Sequence, residues 1–297
     1  MYDRSVELRR YQAALGAILG GAVGDVLGGI TERGALSTSD DTQLTLATCE
    51  AIVESHSVLP DVIAQRMLVW FREGRVTGIG SSTLKAMRDL DAGMHWALAG
   101  ARGERAAGNG AAMRIAPLAF FLDPSNPTDR TKIRDVARIT HHNDEASVGA
   151  LAVVIAVRAA ASGQLVRPEN LAHQLPDTRV RDYLLTLAGH PSWTLEDIAR
   201  EIGSSGYTPE TIAFSVAAAN RIVHTGIEAT MHELNAFAGD ADTIGSIAGQ
   251  IAGAFLTSTN LRASVLARVR GGAQITEIAE RFAVAAASSI EFHGAAR

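Results

Sequence analysis

Two short acidic runs stand out for the chemistry they could support: Ser39-Asp40-Asp41-Thr42 and Asp240-Ala241-Asp242-Thr243. Carboxylates brought within a few ångströms of one another cannot all stay ionised unless positive charge lies between them. Hard divalent cations supply that charge and prefer oxygen ligands. Asp40, Asp41, Asp240 and Asp242 would bring four negative charges, which two divalent cations neutralise, with the hydroxyls of Ser39 and Thr243 completing the coordination. The single cysteine, Cys49, removes a Cys-based site, and few histidines lie near, so magnesium or manganese fits better than zinc. A lone S-D-D-T reads as a helix cap, but capping uses one acid rather than two, and the pattern recurs. Both runs open helices, whose dipole disfavours a cation by only about 1 kcal/mol. Two hard metals polarise a substrate oxygen and activate water. Hydrolysis or transfer at a phosphate- or sugar-bearing substrate is therefore expected, with Glu32, by position, as general acid/base.

The elements that must hold these groups are helices. The 297 residues are 47% hydrophobic and only 5% aromatic, and the apolar share is dominated by Ala, Leu, Ile and Val. The pattern predicts one all-α domain over residues 1–297, an orthogonal bundle of roughly a dozen helices with a two-metal cleft. A first helix over residues 5–19 leads into the glycine-rich Gly20–Gly29, with Asp25 and Glu32 either side of a turn. That run does not follow a strand and lacks the G-x-G-x-x-G order, so a dinucleotide loop is rejected. Gly16, Gly20 and Gly24 share a face suited to close helix packing, as do Gly245, Gly249 and Gly253. Residues 100–110 form a small-residue loop able to cradle phosphate, and Ala112–Leu122 reads as a helix broken at Pro117. His141 and His142 are adjacent and cannot face the same way, so one of them is expected to bond a ligand or a backbone carbonyl.

The formal charge is −5 and basic residues are scattered, Arg102 and Arg105 reading as a solvated face, so no nucleic-acid partner is expected. The longest apolar run, Val148–Val157, is too short for a bilayer, which needs about 20 residues. The polar N-terminus does not resemble a secretory signal. A cytoplasmic, monomeric protein with no membrane contact is the expectation.

The order of these pieces resembles the ADP-ribosylglycohydrolase family. The resemblance rests on Gly24-Asp25-Val26-Leu27-Gly28 with Glu32, Ser39-Asp40-Asp41-Thr42, Asn109-Gly110-Ala111-Ala112-Met113-Arg114, Thr140-His141 and Gly239-Asp240-Ala241-Asp242-Thr243. It implies an all-α bundle with two magnesium or manganese ions. Ser39, Asp40 and Asp41 would form the first metal motif, and Asp240, Asp242 and Thr243 the second. Glu32 would be the catalytic glutamate. Gly78 and Gly80 would form a loop near the distal ribose and phosphates, and Asn109, Gly110 and His141 would line the ADP-ribose pocket. The implied reaction is hydrolysis at C1″ of the distal ribose, freeing ADP-ribose from a modified arginine or serine of a protein. A free derivative such as O-acyl-ADP-ribose is the alternative substrate, and a non-catalytic ADP-ribose-binding protein a further one. Ser39 stands where the family usually has Thr, keeping the hydroxyl, and Ala238 stands where it has Gly. Trp96 and Phe120 are the candidates for stacking on adenine.

Overall fold

Glycine spaced every fourth residue puts a bare backbone stripe on a helix, and two such stripes let helices approach far closer than the usual 8–10 Å. In the computed structural model, which describes residues 4–29, 36–257 and 263–289, two helices do this. Helix α1 (Arg4–Gly28) lies along the helix spanning Ala241–Leu256. A Cβ placed on Gly16, Gly20 or Gly24 would fall 2.2, 2.3 and 1.9 Å from the carbonyl oxygens of Gly253, Gly249 and Gly245. The close-packing expectation holds, but the run Gly20–Gly28 is helix rather than bend. Asp25 therefore lies in the last turn of α1, and Gly29, whose N–H donates to the Asp25 carbonyl, makes the turn that follows. Packing outweighs the roughly 1 kcal/mol propensity cost of each mid-helix glycine. Glu32 lies outside the described residues.

The remaining helices are α2 (Asp40–Ser55), α3 (Pro60–Arg72), α4 (Ser81–Asp91), α5 (Pro127–Arg138) and α6 (Asp144–Ala161). They continue as α7 (Pro168–Ala172), α8 (Arg179–Ala188), α9 (Leu195–Glu201), α10 (Thr208–Thr225) and α11 (Ile227–Leu234). The glycine-striped partner of α1 is α12 (Ala241–Leu256), followed by α13 (Ala263–Leu266) and α14 (Gly272–Ser288). The architecture is all-α. Helix α6 is apolar on nearly every face and buried from Ala146 to Val157, as a central helix must be. It packs on α12, α5 and α10, while α14 covers α1 and α2. Cys49 is fully buried, a small core residue.

Two expectations are corrected. Ala112–Leu122 is not an α-helix: short 3₁₀ turns span Asn109–Ala111 and Ala116–Phe120. Pro117 has no N–H to give and fits only the start of such a turn. Phe120 is fully buried there, its ring 6.0 Å from that of Phe282 in an edge-on pair, so it cannot stack on a ligand. A minimal parallel strand pair, β1 (Ala101–Arg102) with β2 (His141–His142), also forms, with Ala101 opposite His141. It fastens the 100–110 loop to the segment that carries the histidines.

Candidate active site

The α1–α12 contact brings the chain's two acidic runs together. Ser39 caps α2: its hydroxyl accepts from the Asp41 N–H (3.2 Å) and donates to Asp41 Oδ2 (2.8 Å). Thr243 Oγ1, in the first turn of α12, donates to the same Asp41 Oδ2 at 3.2 Å, joining the two runs directly. The other oxygen of Asp41, Oδ1, is buried with no partner among the described residues. A buried anionic oxygen left unpaired is costly, and a bound cation would relieve it.

Asp25 holds this corner from behind. Its carboxylate, 1% exposed, accepts from the Ser39 N–H, the Thr42 N–H and the Thr42 hydroxyl (2.5 Å). The start of α2 is thus pinned to α1 by an acid that the sequence placed only at one side of a turn. The available signal was the cost of Asp in an apolar Gly/Ala helix, which demands partners.

On the opposite wall, Asn109 Nδ2 donates to Asp240 Oδ2 (2.6 Å) and to Thr211 Oγ1 (3.0 Å). The Asn109 N–H donates to the Gly206 carbonyl, so the 107–110 loop is clamped onto the segment before α10. Below it, the Met113 carbonyl accepts from Gln250 of α12 (2.7 Å) and from Thr45 of α2 (3.3 Å). Gly80 precedes α4 and gives its backbone N–H to Asp40. Gly78, at φ +79°, faces Asp40 Oδ1 and Ser39 Cβ with room to spare.

These residues enclose a cleft of about 280 Å³ lined by Asp40, Asp41, Asp240, Asp242, Thr243, Gly78, Gly80, Asn109, Gly110 and His141. Ser39 is not part of the lining and sits behind Asp41 as its cap. Arg105 also reaches the cleft, although the sequence suggested only a solvated face. Trp96 is not in this lining and lies beside His95. Wider depressions of about 490 Å³ near Trp193 and 630 Å³ near Phe121 gather none of these carboxylates.

The electrostatics follow from burial. Desolvation, then repulsion from Asp25, Asp40 and Asp242, pushes the Asp41 carboxyl well above the ordinary range. Desolvation pushes Asp40 up to about 7 and Asp25 to about 6, and Asp240 to about 6 despite the bond from Asn109. Four mutually repelling acids with an orphaned oxygen, all offering hard donors, fit a divalent cation in charge and chemistry. Among the described residues, no three Asp, Glu, His or Cys side chains converge closely enough to cage a metal as they stand. The donor set fits in charge and chemistry alone.

The two histidines diverge, as their adjacency requires. His142 Nε2 meets the Ala99 carbonyl (2.7 Å). His141 is 2% exposed, turned into the cleft, and its Nδ1 meets Thr140 Oγ1 (2.7 Å). Burial first, then the nearby charge of Arg114, pushes the His141 pKa down to about 3.

Comparison with known proteins gives a consistent answer. The family model for ADP-ribosylglycohydrolase matches residues 7–291. An uncharacterized protein of Archaeoglobus fulgidus is 31% identical over 73% of this chain and 70% of its own length. ADP-ribosylarginine hydrolase Tri1 of Pseudomonas putida is 26% identical over 90% of this chain and 76% of its own. ADP-ribosylhydrolase ARH3 of Xenopus tropicalis is 23% identical over 81% of this chain and 85% of its own. A solved structure titled ADP-ribosylglycohydrolase-related protein complex superposes with TM-score 0.67 at 26% identity, over 93% of this chain and 98% of that one. The chain belongs to the ADP-ribosylglycohydrolase family.

Proposed function

We propose that this protein hydrolyses the bond at C1″ of the distal ribose of ADP-ribose, releasing ADP-ribose from a modified protein side chain. Arginine is the favoured acceptor, because the relative matching 90% of this chain is named as an ADP-ribosylarginine hydrolase. The observation that carries the reading is the meeting of Asp40 and Asp41 with Asp240, Asp242 and Thr243 in one cleft, with Asp41 Oδ1 orphaned. Two magnesium or manganese ions held by Asp40, Asp41, Asp240, Asp242 and Thr243, with Ser39 fixing Asp41 from behind, would supply Lewis-acid polarisation of a substrate oxygen and an acidified water.

The chain's own residues would do the rest. Asp25 fixes the N–H groups and Thr42 hydroxyl at the start of α2, so the first acidic run keeps its direction. Asn109 orients Asp240 from across the cleft. Glu32, matched to the family's catalytic glutamate, would move the proton between water and leaving group. Arg105 at the cleft edge is suited to a phosphate of the substrate, since it is the arginine in a lining whose acids are all aspartates.

The test is release of ADP-ribose from arginine-linked and serine-linked ADP-ribosyl peptides, with magnesium, with manganese and with chelator. Metal-dependent release from the arginine peptide is expected. Release from the serine peptide alone would move the acceptor. Release from neither, with O-acyl-ADP-ribose cleaved instead, would replace the protein substrate by the small molecule.

A further inference from the structure

Arg114 is fully buried and has no carboxylate within ion-pair distance among the described residues. Its two terminal nitrogens reach oxygens instead, while Nε is buried with no partner among the described residues. Nη1 donates to the Ala111 carbonyl, and Nη2 to the Val136 carbonyl and to Thr140 Oγ1 (2.8 Å). Thr140 Oγ1 is in turn 2.7 Å from His141 Nδ1. An arginine has donors only, so Thr140 must accept from Arg114. The threonine then has one proton to place. Its other neighbour, the Ala137 carbonyl, is 3.5 Å away, too long against an ordinary O–H···O distance of about 2.7–2.8 Å. The proton goes to His141 Nδ1, and the neutral imidazole carries its own on Nε2.

We propose that Arg114 and Thr140 are positioning residues that hold His141 as a fixed Nε2–H donor to an acceptor oxygen of the bound substrate. The cleft side supports this. Nε2 faces Gly108 and Gly110 and has no partner among the described residues. A Cβ on Gly110 would lie 2.9 Å from His141 Cε1 and 3.0 Å from Thr83 Oγ1, so the ring's place depends on glycine there. Burial and Arg114 keep the ring uncharged. The substrate atom it meets is thus an uncharged or anionic oxygen, a ribose hydroxyl or phosphate oxygen, and not a donor. The role in substrate binding rests on the function proposed above; the proton's location does not.

The experiment is a long-range ¹H–¹⁵N correlation spectrum of the full chain, with His141 assigned by its loss in His141→Asn. Nδ1 is expected to be unprotonated and shifted by an accepted hydrogen bond, with Nε2 protonated. Thr140→Val should release that shift, and Thr140→Ser should keep it. ADP-ribose affinity, by calorimetry, should fall roughly three- to tenfold in Thr140→Val, about the worth of one hydrogen bond, and recover in Thr140→Ser. A protonated Nδ1 in the wild-type protein would overturn the assignment even if the valine variant failed to fold. A His141 spectrum or an affinity unchanged by Thr140→Val would remove Thr140 from the role. Wild-type protein that gives the expected spectrum but does not bind ADP-ribose would sink the functional reading and leave the relay standing.

Discussion

Replacing Gly24 by Ala separates two opposed physical effects. Helix propensity alone favours alanine by about 1 kcal/mol in a helix interior. Packing opposes it: the new methyl would sit 1.9 Å from the Gly245 carbonyl oxygen and 2.5 Å from its carbon. Both obstacles are backbone, so no side-chain rotation relieves them; α1 and α12 must part by more than an ångström. Overpacking of this kind costs about 1–3 kcal/mol, occasionally more. With no room for a local adjustment we take the upper end, leaving a net loss of about 2 kcal/mol after the propensity gain. Urea unfolding of wild type and variant measures it, with Gly189→Ala as the control. At Gly189 a Cβ meets only carbonyl oxygens of its own helix, at 3.4 and 3.6 Å, so that change should be neutral or mildly stabilising. Because Asp25 follows Gly24 directly and Asp242 lies one turn from Gly245, divalent-cation affinity should fall together with stability. A Gly24→Ala protein as stable as wild type would refute the close-contact argument and the view that it assembles the acidic cleft.

Other outcomes are specific. Asp41→Asn should leave the metal-free protein as stable or more so, since it removes a buried repelling charge, yet abolish stabilisation by manganese. For the wild type, metal at a hundred times its Kd should add about 2.7 kcal/mol, removable by chelator, as thermal unfolding would report. His141 gives a pH dependence of known sign. Its folded pKa, about 3, lies below the unfolded value of about 6.5, so acidification protonates the unfolded chain first and destabilises the fold. Between pH 7 and pH 5 that amounts to about 2 kcal/mol. It is read as the wild-type loss in excess of that in His141→Gln, which cancels the oppositely directed contribution of the cleft's carboxylates.

Much of this cleft was legible because its donors are consecutive. Asp40-Asp41 and Asp240-x-Asp242-Thr243 need no fold to look unusual, and Thr208-Pro209 marks the start of α10 unaided. Illegible features were those decided by distant partners. The Gly20–Gly29 run reads as a bend by propensity, and only the matching stripe on α12, more than 200 residues on, makes it helix through Gly28. Arg114 closes a motif that carries the family resemblance, but its burial and its bonds to the Ala111 and Val136 carbonyls depend on the placed fold. Ala112–Leu122 has the composition of a helix, but Pro117 and the anchoring of the Met113 carbonyl hold it in shorter turns. His141 and His142 were separable in principle, yet which one faced the cleft depended on the strand pair with Ala101–Arg102.

The glycine seam also dictates when, during synthesis, the protein can become itself. Everything the cleft requires from the first half of the chain, Asp25 through His141, leaves the ribosome long before its counterpart on α12. Until then α1 carries an uncovered groove of backbone, and the acids beside it lack the opposite wall. Closing so long a loop is entropically late and slow. The nascent protein therefore passes through a stage in which pairs such as α2 with α3 and α5 with α6 can already pack, while α1 still lacks its main partner. The arrival of residues 241–256 closes the cleft, and α14, later still, completes the core over α1 and α2.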